Sequence, residues 1–167
     1  MKRIIIHWTA GTYYPTEFEK AHYHFLIDKN GKVFCGKFKP ENNEICKVGN
    51  YAAHTGGGNT GSIGVAICAM AGFKNVKNIG NYPILKKQFE SAMRFCAELA
   101  KKYKISITPQ TVLTHYEFGL KNPKTTSVGK IDIVYLPPYS WIKKEEVGSF
   151  IRTKIKWYLE KINKEQS

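Results

Sequence analysis

The run Ser62–Met70 narrows the possible folds of this chain more than any other stretch. It is apolar, rich in β-branched residues and bounded by Gly61 and Gly72. A short continuous apolar run between turn signals reads as a central strand buried on both faces. Arg3–Trp8 repeats the pattern, with Ile4–Trp8 as a second buried strand. Tyr23–Asp28 alternates as a strand does, and Lys29-Asn30-Gly31 has the chemistry of a hairpin turn, so Lys32–Lys37 is expected to return beside it. From Leu85 the apolar residues Phe89, Met93, Cys96, Ala100 and Tyr103 recur at helical spacing. Val147, Ile151, Ile155 and Ile162 do the same within a final helix expected at about 144–164, and their spacing marks a core-facing stripe. Strands mixed with two long helices imply an α/β fold, with one central mixed β-sheet and flanking α-helices. The 167 residues suit a single domain, 1–167, with a sizeable core.

The segments between these elements are expected to be loops: Pro40–Tyr51, the glycine-rich His54–Gly61, Phe73–Pro83 and a long one over Glu117–Ser140. Pro15 and Thr16 can start a short helix before Lys20. A short strand, Ile107–Thr114, is expected to deliver His115.

No window reaches the length of a membrane span. Met1-Lys2-Arg3 followed by a brief isoleucine run is too short for an export signal, so synthesis in the cytoplasm is expected. Cys35, Cys46, Cys68 and Cys96 match no zinc-finger spacing. Cys68 and Cys96 read as small buried hydrophobes, and Cys35 and Cys46 as thiols in a reducing compartment. The net charge of +13 favours a polyanionic partner, either nucleic acid or an anionic cell envelope, and equally suits a lysine-rich soluble surface. No helix-turn-helix, finger or RNA-binding word accompanies it, so nucleic acid is not expected.

Five histidines give the chain its chemistry. His7 ends the first strand and His115 follows another. Two imidazoles and one carboxylate, with a fourth position left to water, are a common catalytic zinc set. By strand alternation His22 and His24 lie opposite Tyr23, with His24 structural and His22 near the surface. Glu117, two residues after His115, either orients a ligand or is solvated.

Five local words then occur in one order. Ile4-Ile5-Ile6-His7-Trp8-Thr9-Ala10 is followed by Tyr23-His24-Phe25-Leu26-Ile27-Asp28-Lys29-Asn30-Gly31. His54-Thr55-Gly56-Gly57-Gly58-Asn59-Thr60-Gly61-Ser62-Ile63-Gly64-Val65 comes next, then Thr114-His115-Tyr116-Glu117 and Gly129-Lys130-Ile131-Asp132. Together they resemble the zinc-dependent N-acetylmuramoyl-L-alanine amidases, a family whose fold the peptidoglycan recognition proteins share, over residues 4 to about 135.

The resemblance implies one Zn2+ held by His7, His115 and Asp132, with Tyr23 and Lys130 as catalytic side chains. It makes His54 and Asn59 candidates for contact with the muramic acid or its peptide. Other members carry a glutamate two residues after the glycine of the Ser-Ile-Gly word. Ala66 stands there, which points to the tyrosine-using, bacteriophage-lysozyme version of the family. Ile133-Val134 replaces the Pro-Gly that commonly follows the third ligand. The activity implied is cleavage of the amide between muramic acid and L-Ala of peptidoglycan, as in phage endolysins, by a monomer that reaches the wall after release. The competing expectation is a recognition module that binds peptidoglycan without cutting it. Retention of Asp132 favours the enzyme.

Overall fold

The computed structural model describes residues 1–167. Its elements are β1 (Arg3–Trp8), α1 (Glu17–Lys20), β2 (Phe25–Ile27), β3 (Val33–Cys35), β4 (Ser62–Ile67), α2 (Lys86–Tyr103), β5 (Val112–Thr114), α3 (His115–Lys121) and α4 (Val147–Glu165). The sheet order is β3-β2-β4-β1-β5. β2, β4, β1 and β5 run parallel, and β3 is an antiparallel edge. This is the mixed sheet expected of the sequence. Every residue of β4 is buried, and the strand lies between β1 and β2. Parallel sheets need both faces covered, and the helices supply the cover.

Alternation along β1 divides the interior. Ile4, Ile6 and Trp8 join Ile63, Val65 and Ile67 of β4 against Phe89, Met93 and Cys96 of α2 and Val147, Ile151 and Ile155 of α4. Each such large side chain, fully buried, contributes about 1.5–3 kcal/mol. The stripe on the last helix is therefore core. No helix is long and apolar enough to cross a membrane. Ile5 faces the other way and packs with Leu113 and Phe118 beneath α3. His7, two residues on, shares this second face.

Several elements are shorter than their patterns suggested. The first hairpin is paired only over Phe25–Ile27 and Val33–Cys35, so Tyr23 stands outside the ladder. The fifth strand begins at Val112, not Ile107. The last helix opens with a 3-10 turn at Lys144–Glu146, and Pro40–Asn43 forms another inside the expected loop.

The expected loop over Glu117–Ser140 is overturned at its start, which is helix α3. The Thr114 side chain accepts from Glu117 N at 3.1 Å and the Glu117 carboxylate accepts from Thr114 N at 2.9 Å. This reciprocal capping box starts the helix at His115. α3 has too few turns to show an apolar period and contains Gly119, a poor helix former, so only the cap betrays it. The four cysteines are free, with Cys68 and Cys96 buried.

Candidate metal centre

β1 is flanked by β4 and β5, so the C-terminal ends of three parallel strands meet around His7. In open parallel sheets, that end is where loops converge on ligands. His115 enters from the neighbouring β5, held at the first position of α3 by the Thr114–Glu117 cap. Asp132 comes from the following loop, whose backbone is docked on the same helix: Tyr116 N donates to Asp132 O at 2.6 Å.

His7 Nδ1 lies 2.8 Å from Asp132 Oδ2 and His115 Nδ1 lies 3.2 Å from Asp132 Oδ1. All three donor atoms fall within 4.8 Å of one another, and all three residues are buried. The arrangement can hold a metal ion.

The far side of each imidazole tests that fit. Ser127 Oγ donates to Gly56 O at 2.7 Å, so it accepts from Nε2–H of His115 at 3.0 Å. Nε2–H of His54 donates to the Ser62 carbonyl at 3.3 Å, which leaves His54 Nδ1 as an acceptor. The Thr55 hydroxyl donates to that acceptor at 2.8 Å, which leaves Thr55 Oγ1 to accept from His7 Nε2–H at 3.3 Å, with His54 Nδ1 itself 3.2 Å from the same nitrogen. Both imidazoles thus carry their proton on Nε2 and turn the Nδ1 lone pair toward the Asp132 carboxylate. Two lone pairs facing an anion require a positive charge between them. A second proton on His7 is disfavoured, because burial lowers its pKa against the opposing pull of Asp132. Borderline-soft nitrogen donors beside one carboxylate suit a zinc ion.

A cleft of about 440 Å³ opens over this group, with Trp8, Tyr23, Phe73, Lys130 and Ile131 in its walls. The Tyr23 ring centroid is 5.1 Å from that of His7. Burial, with Asp132 nearby, raises the Tyr23 pKa, so its phenol stays a proton donor. Lys130 is exposed at the rim. The cleft walls hold no carboxylate besides Asp132. Ala66 pairs with His7 across the sheet and contributes only a methyl.

His54 lines the cleft, yet it is buried and packed edge-on against His7, with ring centroids 5.2 Å apart. It stacks over Gly64, where an added Cβ would come within 2.5 Å of the ring. Asn59 is not brought to the cleft. Its Oδ1 accepts from the backbone N of His54 at 3.0 Å and of Thr55 at 2.8 Å, which shapes the loop. His24 is buried and structural: its Nδ1 accepts from Gly64 N at 2.9 Å, and its Nε2 donates to Asn43 Oδ1 at 2.9 Å.

Glu117 touches neither histidine. It receives both Nη atoms of Arg152, at 2.9 and 3.0 Å, and so clamps the start of α3 to α4. Gly148 makes room for the clamp, since a Cβ there would meet Glu117 Oε1 at 1.9 Å. Ser127, Thr55 and Arg152 were not singled out in the sequence. The Thr114/Glu117 spacing could have flagged the cap, whereas nothing local marks Arg152.

The model of the N-acetylmuramoyl-L-alanine amidase family matches residues 1–129. Among solved structures, a mutant of PlyL is similar at 22% identity and a TM-score of 0.54, covering 93% of this chain and 84% of that one. Drosophila peptidoglycan recognition protein SD is 19% identical over 75% of this chain and 74% of that one, with a TM-score of 0.47. At such identities the PlyL likeness is one of fold. No curated protein matches the chain.

Proposed function

Because this chain belongs to the N-acetylmuramoyl-L-alanine amidase family, we propose that it is a zinc-dependent hydrolase of the amide between muramic acid and L-Ala of peptidoglycan. The observation that carries this reading is the convergence of His7, His115 and Asp132 at and just beneath a cleft whose wall holds Tyr23 and whose rim holds Lys130.

The three converging residues would hold one zinc ion. Bound there, zinc supplies Lewis acidity, polarising an amide carbonyl and acidifying water. In the hydrolysis, oxygen from water bonds to the lactyl carbonyl carbon, the C–N bond breaks, and the alanine nitrogen leaves as an amine with a proton from that water. The remaining steps fall to the chain. His54, Thr55 and Ser127 keep the Nε2 protons in place, so both Nδ1 lone pairs point inward. The Tyr23 hydroxyl donates a hydrogen bond to charge developing on the carbonyl oxygen, and either it or the zinc-bound group hands a proton to the departing amine. The Lys130 ammonium stabilises the same charge from the rim. Well-aimed donors of this kind are each worth about 3 kcal/mol. The absence of a second carboxylate from the cleft walls supports this tyrosine-based version.

A wall-lytic role of the endolysin type fits the +13 charge, which draws the protein to an anionic envelope. The deciding test is release of new peptide N-termini from purified peptidoglycan, with and without a chelator, beside Asp132→Ala. Zinc-restorable release that the variant lacks is expected. Absence of release from zinc-loaded protein leaves a recognition module on the amidase fold.

A further inference from the structure

A second, larger cavity of about 710 Å³ adjoins the cleft. Phe73 and Ile131 line both. Phe73 is the ridge between them: its ring lies 5.0 Å from that of Trp8 on the cleft side and is stacked at 6.3 Å on Tyr135 on the groove side. The far wall is formed by residues 134–135 and 140–145, which follow the last residue matched by the family model. Trp141 stands on that wall, 72% exposed, with its indole braced edge-on by Tyr139 at 5.7 Å. Val76, 60% exposed, faces the same space from the loop before α2. Lys74, Lys143 and Lys144 ring the groove against a single carboxylate, Glu145.

An exposed, braced indole beside exposed aliphatic groups, set in a groove that joins the cleft, is a surface suited to holding a ligand with apolar faces. The chemistry of the cleft limits which ligand. If the scissile amide sits at the metal centre, the muramic ring is tied to it by one short ether, so the strand to which that ring belongs must lie on a surface joined to the cleft. The groove is such a surface. Any unrelated occupant would compete with the substrate for Phe73 and Ile131.

We propose that this groove binds the glycan strand of the substrate, a chain of β-linked N-acetylated amino sugars, next to the muramic acid whose amide is cut. The inference rests on the amidase reading, and it makes the polymeric wall, not a released muropeptide, the substrate. The flat C–H faces of the sugars lie on Trp141. Their acetyl methyls meet the aliphatic walls. The lysines at the rim match the carboxylates of uncut peptides on neighbouring muramic residues.

The test uses the whole chain. Peptide-free glycan strands, cleared of other wall polymers, are titrated into zinc-free wild type, Trp141→Ala and Trp141→Phe. In parallel, kcat/KM of the zinc-loaded proteins is measured on an uncrosslinked peptide-bearing glycan polymer and on a muropeptide with one sugar. Trp141→Ala should weaken strand binding and lower kcat/KM on the polymer about tenfold, the loss expected for one well-placed aromatic anchor. The single-sugar substrate should change less than about twofold on the same scale. Trp141→Phe, which keeps a ring, should retain most of both. Equal losses on the two substrates, no loss on either, or a loss that grows with peptide length on the single-sugar substrate overturns the proposal. The two readings separate cleanly. Wild type that binds strands through Trp141 yet cuts neither substrate removes the amidase and leaves the groove. Wild type that cuts both, with Trp141→Ala neutral, removes the groove and leaves the amidase.

Discussion

His54 Nδ1 lies 3.2 Å from the far nitrogen of His7, with the Thr55 hydroxyl between them at 2.8 Å from His54 and 3.3 Å from His7, and His54 is itself held by the Ser62 carbonyl at 3.3 Å. A backbone carbonyl of β4 thereby sets the proton of one imidazole, and that imidazole, with the Thr55 hydroxyl, sets the next. The inner nitrogen of His7 is left free to bind a cation without competing for a proton.

If this relay orients His7, His54→Phe should weaken zinc binding by about 10- to 100-fold, the range for groups that orient metal ligands. Gly64→Ala should weaken it too, because the new methyl displaces the His54 ring. Competition against a chromophoric chelator reads the affinity. Nitrogen NMR of labelled histidine should show His7 losing its single protonated tautomer. Unchanged affinity in both variants would assign His54 to packing alone.

The Glu117–Arg152 clamp is mostly buried, with side-chain exposures of 19% and 11%. Arg152→Met should destabilise the fold by about 3 kcal/mol, since it strands a carboxylate that is also part of the α3 cap. Urea unfolding of the metal-free protein measures this. A cost below about 1 kcal/mol, the scale of a surface pair, would contradict the clamp.

Tyr23→Phe and Lys130→Ala should each lower kcat on peptidoglycan by about 10²-fold, as for the loss of one donor to a developing oxyanion. Zinc affinity and unfolding midpoint should hold, because neither side chain is among the converging donors. A parallel fall in zinc affinity would point to a disturbed metal centre.

Burial pushes the pKa of His24 down to about 4 from 6.5. The unfolded chain takes up this proton below about 6.5, whereas the folded protein resists it until about 4. The stability tied to neutral His24 is therefore complete above the unfolded value and erodes as pH falls across that window. One proton corresponds to ~1.4 kcal/mol per pH unit. Unfolding free energies of metal-free wild type and His24→Gln at about pH 6 and pH 5 should differ in slope by close to that amount. Identical slopes would mean that His24 is protonated in the native state.

Much of the architecture could be read locally, because a strand buried on both faces leaves a continuous apolar run, as in Ser62–Ile67, and a core-facing helix leaves its period, as in Phe89, Met93 and Cys96. Those patterns assign faces and sheet type without knowledge of neighbours. Motif order likewise picked out His7, His115 and Asp132 before anything placed them together.

What the sequence by itself determined was the strands, the two long helices and the residue types fit to hold a metal. Tertiary structure alone decided which atoms meet. Sequence shows that His54 begins a glycine loop, but only packing over Gly64 turns it from a contact candidate for substrate into the acceptor behind His7. It shows Asn59 beside His54, but only the fold spends its amide oxygen on loop backbone. Arg152 is one cation among 26 until α4 lies against α3. The physical reason is common to all three. Hydrogen-bond direction and charge pairing depend on separations of about 3 Å, and residues far apart in the chain acquire such separations only when the core has closed.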